Sequence, residues 1–213
     1  MSIYFFLLNT ILAYQEIKPP GTIKIGDYYI DQTEVLNIHW IEYVHTKRQA
    51  IDQNKLYLLL PDSSNYWFFL PEKRHEPITH ISYEQAVDYC QWRSHIVSEN
   101  LGRQIIFRLP SPEEWDEIAS LAMEAREKEE KRKLKSLKKQ LLKKGLFYIP
   151  RATINPNEIL DLFSNVSEMT ATPGITRGNN NWSISRSEER TNEATSVSSG
   201  PYLGFRCIGE IVK

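Results

Sequence analysis

The sequence predicts an α+β domain with limited regular structure. Three observations carry this reading: an alternating hairpin pattern over residues 22–31, two helix starts with marked caps at Ser82 and Ser111, and a stretch of short strands and loops rich in Asn, Ser and Thr from Pro150 onward. At 213 residues the chain has room for one large domain or at most two small ones. A chain of that length buries roughly 70% of its unfolded surface, so it can fold without a metal or a set of disulfides. Its 41% hydrophobic and 25% charged residues are those of an ordinary globular protein, which excludes a collagen-like, wholly disordered or multi-span membrane chain. The net charge of −1 argues against a nucleic-acid or general polyanion binder. The charge is unevenly placed, however: residues 124–144 hold ten Lys/Arg against four Glu, a local +6, which leaves −7 on the rest.

Residues 3–14, from Ile3 to Tyr14, are almost wholly apolar. The run is too short to span a bilayer as a helix. It matches the apolar core of a secretory signal with the small residue Ala13 near a cleavage point, although no Lys or Arg precedes it. A core strand is the alternative. On the export reading, residues 1–15 are a signal peptide, residues 16–213 the domain, and the protein is periplasmic or associated with the cell surface. No Cys ends the run, so it lacks the lipid-attachment form of an export signal.

After the turn cluster Pro19-Pro20-Gly21, residues 22–31 read as a hairpin about the Gly26-Asp27 step. Asn37 is placed to cap a helix running to about His45, with Ile38, Ile41 and either Tyr43 or Val44 buried. Residues 56–70, apolar and aromatic but broken by Pro61-Asp62-Ser63-Ser64, read as a packed loop or two strands. Ser82 with Gln85 forms a capping box, and Ala86, Val87, Cys90, Trp92, Ile96 and Val97 supply an apolar face. Ile105–Pro110 is a short strand. Ser111, Pro112 and Glu114 then start a second helix that buries Trp115, Ile118, Ala119 and Ala122. That helix runs into the charged stretch 124–144, part of an insertion at about 120–147. Its thin stripe of Leu134, Leu137 and Leu141 reads as a solvated helical arm or, alternatively, as a surface for an acidic partner or an anionic membrane.

Much chemistry is missing. The five His residues make no metal-binding spacing, and there is no phosphate-cradling Gly loop and no nucleophile turn. Asn165-Val166-Ser167 and Asn181-Trp182-Ser183 match the glycosylation pattern, a signal that arises often by chance.

Taken in order, several segments resemble the formylglycine-generating, or sulfatase-modifying-factor, family. They are Pro19–Thr22 with Ile30–Asn37, Pro77–Ala86, Tyr89-Cys90-Gln91-Trp92 and Arg108–Trp115. Further on come Ser164–Thr170, Arg177-Gly178-Asn179 with Trp182, and Gly204-Phe205-Arg206-Cys207. Leu60–Ser63, Trp92-Arg93-Ser94 and Val97-Ser98-Glu99 further resemble the gliding-motility lipoprotein branch of Bacteroidota. The resemblance implies a C-type-lectin-like α+β fold. It also implies a disulfide between Cys90 and Cys207, with two buried free thiols as the competing reading.

Catalytic members carry an active-site cysteine pair that binds copper, chemistry that needs soft thiolates. Residues 183–206 here contain no Cys, so neither copper nor a catalytic residue is expected. The resemblance therefore implies a non-catalytic binding or structural module in the cell envelope, with a protein or glycan partner. A formylglycine-generating oxidase acting on a sulfatase cysteine, or a relative with another chemistry in the same cleft, is the alternative. Catalytic relatives also bind calcium. Carried over to this chain, the ligands fall on the Asp161 carboxylate, the Ser164 and Val166 main-chain oxygens and the Glu168 carboxylate, a hard oxygen set suited to that ion. The family's Gly is Ser164 here, and its two Trp residues are Ser167 and Met169.

Overall fold

The last strand of the chain lies in the middle of its main sheet, so the two ends of the domain are locked together. The computed structural model describes residues 18–62, 67–124, 159–162, 165–178 and 199–212. Strand β1 (Thr22–Ile25) turns through Gly26 and Asp27 into β2 (Tyr28–Asp31), as the alternation predicts. The left-handed φ of +57° at Gly26 is a backbone state that side chains resist, which explains a Gly at this tight turn. β2 pairs antiparallel with β7 (Ile208–Ile211), and β7 with β3 (Ile105–Arg108), giving the order β1-β2-β7-β3. A smaller sheet sets β4 (Ser167–Met169) between β5 (Thr176–Arg177) and β6 (Leu203–Gly204).

Helix α1 (Asn37–Lys47) forms where expected, but with a rotated buried face. Trp40 and Tyr43 are buried, while Ile38 and Ile41 are only half-buried. Nor is Asn37 the cap. It is the first helical residue, and its amide Nδ2 donates instead to the Lys73 carbonyl at 2.8 Å. The run from residue 56 forms neither of two strands. Residues Gln53–Leu59 are a 3₁₀ turn, and residues 63–66 lie outside the described chain. Trp40, Tyr43, Tyr89 and Phe205 pack at ring separations of 4.8–6.2 Å, and such pairs add about 0.5–1.5 kcal/mol each beyond area burial.

Helix α2 (Tyr83–Leu101) has the expected capping box: Gln85 N–H donates to Ser82 Oγ at 3.2 Å, and Ser82 N–H to Gln85 Oε1 at 2.8 Å. Its buried residues are Ala86, Tyr89 and Cys90, so Tyr89 joins the predicted face. A third helix, α3, occupies residues 112–124 and is capped the same way by Ser111 and Glu114. It packs Ile118 against Ile23, Ile30 and Ile208, and Trp115 and Ala119 against Leu162. Beyond Glu124, the charged insertion lies outside the described residues.

β3 is an edge strand, and its outer edge is closed by α2. Ser98 Oγ accepts from Ile105 N–H at 2.8 Å and donates to the Ile105 carbonyl at 3.1 Å. Ser94 Oγ accepts from Phe107 N–H at 2.7 Å. These hydroxyls fill the ladder positions that another chain's strand would otherwise take. We predict that the Ser94→Ala/Ser98→Ala double variant loses about 2–4 kcal/mol in urea unfolding, because buried backbone groups are left unpaired. It should also show more aggregate than wild type in light scattering.

A candidate ligand groove above a buried ion-pair centre

The β6–β7 junction brings together several of the buried charged groups among the described residues. Arg206 and Glu168 both have 0% relative exposure. Arg206 Nη2 meets Glu168 Oε1 at 2.6 Å, and Arg206 Nε meets the two carboxylate oxygens at 2.7 and 2.8 Å. Trp115 Nε1 donates to Glu168 Oε2 at 2.8 Å. Arg206 Nη1 and Nη2 also donate to the carbonyls of Asp31 and Leu160, each at 3.1 Å. Burial alone would favour the neutral guanidinium, but the Glu168 carboxylate beside it holds it charged, above its ordinary range. Alongside, Asp31 accepts from Arg93 Nη1 at 2.6 Å and from Cys207 N–H at 2.9 Å. Gly204, before Phe205 and Arg206, lies so close to its surroundings that an added Cβ would stand 2.9 Å from Val166 Cγ2 and 3.1 Å from the Ile78 carbonyl.

Glu34 is the odd carboxyl in this centre. It is 1% exposed and receives the Asn165 amide at 3.2 Å. Burial pushes its pKa up to about 7; Arg206 opposes the shift and Glu168 adds to it. That amide bond also occupies the Asn165 sequon, so Asn165 is committed inward rather than presented for glycosylation. The sign of the pH effect follows from the raised pKa. The folded state holds a proton that the unfolded state has released, so this group's contribution to stability is full below about pH 4.5 and is lost as pH rises toward 7. We predict that wild type loses about 3 kcal/mol relative to Glu34→Gln between pH 4.5 and 7.5, read as the pH-dependent difference between their unfolding free energies.

Of the residues expected to hold calcium, Ser164 lies outside the described chain. Asp161 is exposed and has a φ of +56°, Val166 is buried, and Glu168 is fully enclosed. Both Glu168 oxygens are held by Arg206, and one also by Trp115. Among the described residues, no group of three or more His, Cys, Asp or Glu is placed to hold a metal ion. Glu168 thus has Arg206 as its charge partner, and the main-chain oxygen expected from Ser164 lies outside the described residues.

Cys90 and Cys207 are adjacent, both buried, with their sulfurs 3.1 Å apart as free thiols. The pairing expected from the resemblance is met; the bond is not. A disulfide needs about 2.05 Å, and here one thiol hydrogen-bonds the other. Burial, first, and then the Cys90 contact push the Cys207 thiol well above its ordinary value.

An open groove of about 770 Å³ lies between the end of α1, the Gln53–Leu59 turn and the start of α2. On its polar side, the Tyr43 hydroxyl and Lys47 ammonium both bond Asp88, the latter at 2.8 Å. His80 lines it with an unusual φ of +61°, fixed by N–H donation to the Gly200 carbonyl and by Asp62 N–H donating to its own carbonyl. Desolvation keeps the His80 imidazole below its ordinary pKa. The apolar rim is Tyr57, Leu58 and Leu60, with Tyr57 67% exposed. Gln85 Nε2 pins that rim by donating to the Leu58 and Leu60 carbonyls at 2.9 and 2.7 Å, so one side chain both caps α2 and shapes the groove. Sequence reasoning missed this site. The signal was the apolar run at 56–60, which reads as core until only Leu59 proves buried, with Leu56 partly so and Tyr57, Leu58 and Leu60 exposed.

The fold is a mixed α+β domain with short strands and a buried ion-paired centre. The sequence matches the sulfatase-modifying factor enzyme 1-like domain over residues 6–211, and the chain belongs to that family. No curated protein matches it. Among the described residues, no helix is long and apolar enough to cross a membrane.

Proposed function

We propose that the chain is a non-catalytic binding module of the cell envelope, C-type-lectin-like in fold and related to the gliding-motility lipoprotein branch, with a protein or glycan partner. The observation that carries this is the state of its thiols. The chain has two cysteines, and they are buried against each other. A copper-dependent oxidase needs accessible soft thiolates to hold the metal at its substrate. Cys90 and Cys207 are enclosed in the core, and Cys207 is held protonated. The groove fits the binding role: an exposed aromatic and aliphatic rim faces polar groups that are already mutually satisfied and therefore fixed in place.

The test is copper loading followed by oxygen uptake with a cysteine-containing sulfatase peptide. The reading predicts no stoichiometric Cu(I) retention after chelator dialysis and no uptake above a protein-free control. Turnover of the peptide cysteine to formylglycine would establish the oxidase instead.

A further inference from the structure

We infer that the groove between α1 and α2 receives the basic segment 131–144 of a second copy of this chain, so that copies associate head to tail. This rests on the groove being the binding surface of a non-catalytic module, and it names the occupant. Residues 131–144 hold eight Lys/Arg, no Asp or Glu, and Leu134, Leu137, Leu141 and Leu142. The groove offers the matching surface. Tyr57, Leu58 and Leu60 stand exposed on its rim. Asp62, Glu84 and Asp88 line it against the one ammonium of Lys47, and His80, held below its ordinary pKa, adds no charge at pH 7. Lys47 already balances Asp88, which leaves Asp62 and Glu84 facing the opening. Leucines can cover the apolar rim while the cations beside them meet these carboxylates, the pairing by which apolar, basic segments enter such grooves. The chain outside residues 124–144 carries −7, so the attraction extends beyond the groove.

The topology decides between the segment's own groove and a neighbour's. Ile105 and Phe107 of β3 pack with Tyr89 and Cys90 of α2. Arg108, one residue on, lies on the opposite face and is paired with Ile208, which packs against Ile118 of α3. Helices α2 and α3 therefore cover opposite faces of the main sheet. The chain enters the basic stretch from α3 and reappears at Ile159, which packs beside Ile118 and Trp115. Both anchor points lie on the α3 side, whereas α1 and α2 build the groove on the other. A contact between two different surfaces on opposite sides joins copies heterologously, in open chains or closed rings.

The experiment is sedimentation velocity on the full chain over a concentration series. It compares wild type, a groove variant (Tyr57→Ser/Leu58→Lys) and a segment variant (Leu134→Ser/Leu137→Ser/Leu141→Ser). Insertion between copies predicts that wild type grows in mass with concentration and that each variant alone stays monomeric. Mixed one to one, the two variants should form a complex of twice the monomer mass that grows no further. The intact segment of the groove variant fills the intact groove of the segment variant, and no second pair of sound surfaces is left. Wild type that is monomeric throughout would overturn the inference. So would either variant associating as wild type does, or a mixture that stays monomeric. Tyr57 and Leu58 are exposed, so the groove variant should unfold in urea as wild type does, and Leu60→Lys on the same rim provides a second groove variant. No copper or sulfatase peptide enters the measurement, so oxygen uptake decides the non-catalytic reading separately.

Discussion

A guanidinium and a carboxylate with no access to water, Arg206 and Glu168, hold together the parts of this fold that have little regular structure of their own. Either charge buried alone would cost several kcal/mol, so each requires the other. Their remaining bonds recruit Trp115 from α3, the Asp31 carbonyl from β2 and the Leu160 carbonyl from the incoming loop. The small sheet β5-β4-β6 is only two or three residues long in each strand, too short to be stable by its ladder alone. Glu168 sits in its central strand and Arg206 just beyond its edge, so the ion pair ties that sheet to the larger one.

This centre also sets the surface above it. Phe205, next to Arg206, packs on Trp40 and Tyr89, and Tyr89 meets Tyr43, whose hydroxyl enters the groove. Val35 N–H donates to the Phe205 carbonyl, and Ile78 N–H to the Val35 carbonyl, which leads to His80 on the groove wall. The groove is thus the outer face of a packed aromatic stack. Its polar groups are held from beneath, which fixes their positions.

Local signals in the sequence were legible where local chemistry decides structure. The Gly26 turn and the Ser82/Gln85 and Ser111/Glu114 boxes formed as their spacing predicts, since each depends on residues within three positions. Features decided by distant partners were not. Asn37 reads as a cap but is drawn to the Lys73 carbonyl, and α1 turns Trp40 and Tyr43 inward because Tyr89, Trp92 and Phe205 offer them aromatic partners. The ion pair of Glu168 was not legible either, since its partner Arg206 lies 38 residues away. The nearness of Cys90 and Cys207, 117 residues apart, came only from the resemblance, since spacing alone says nothing of it.

A double-mutant cycle on the central ion pair tests the account most directly. Urea unfolding would be measured for wild type, Arg206→Met, Glu168→Gln and the double variant. The account predicts that each single change costs about 3–5 kcal/mol and the double change little more than either, a coupling of about 3 kcal/mol, because each single variant strands a buried charge or its donors. Additive losses, with coupling near zero, would show that the two side chains contribute independently and that the pair does not organise the fold.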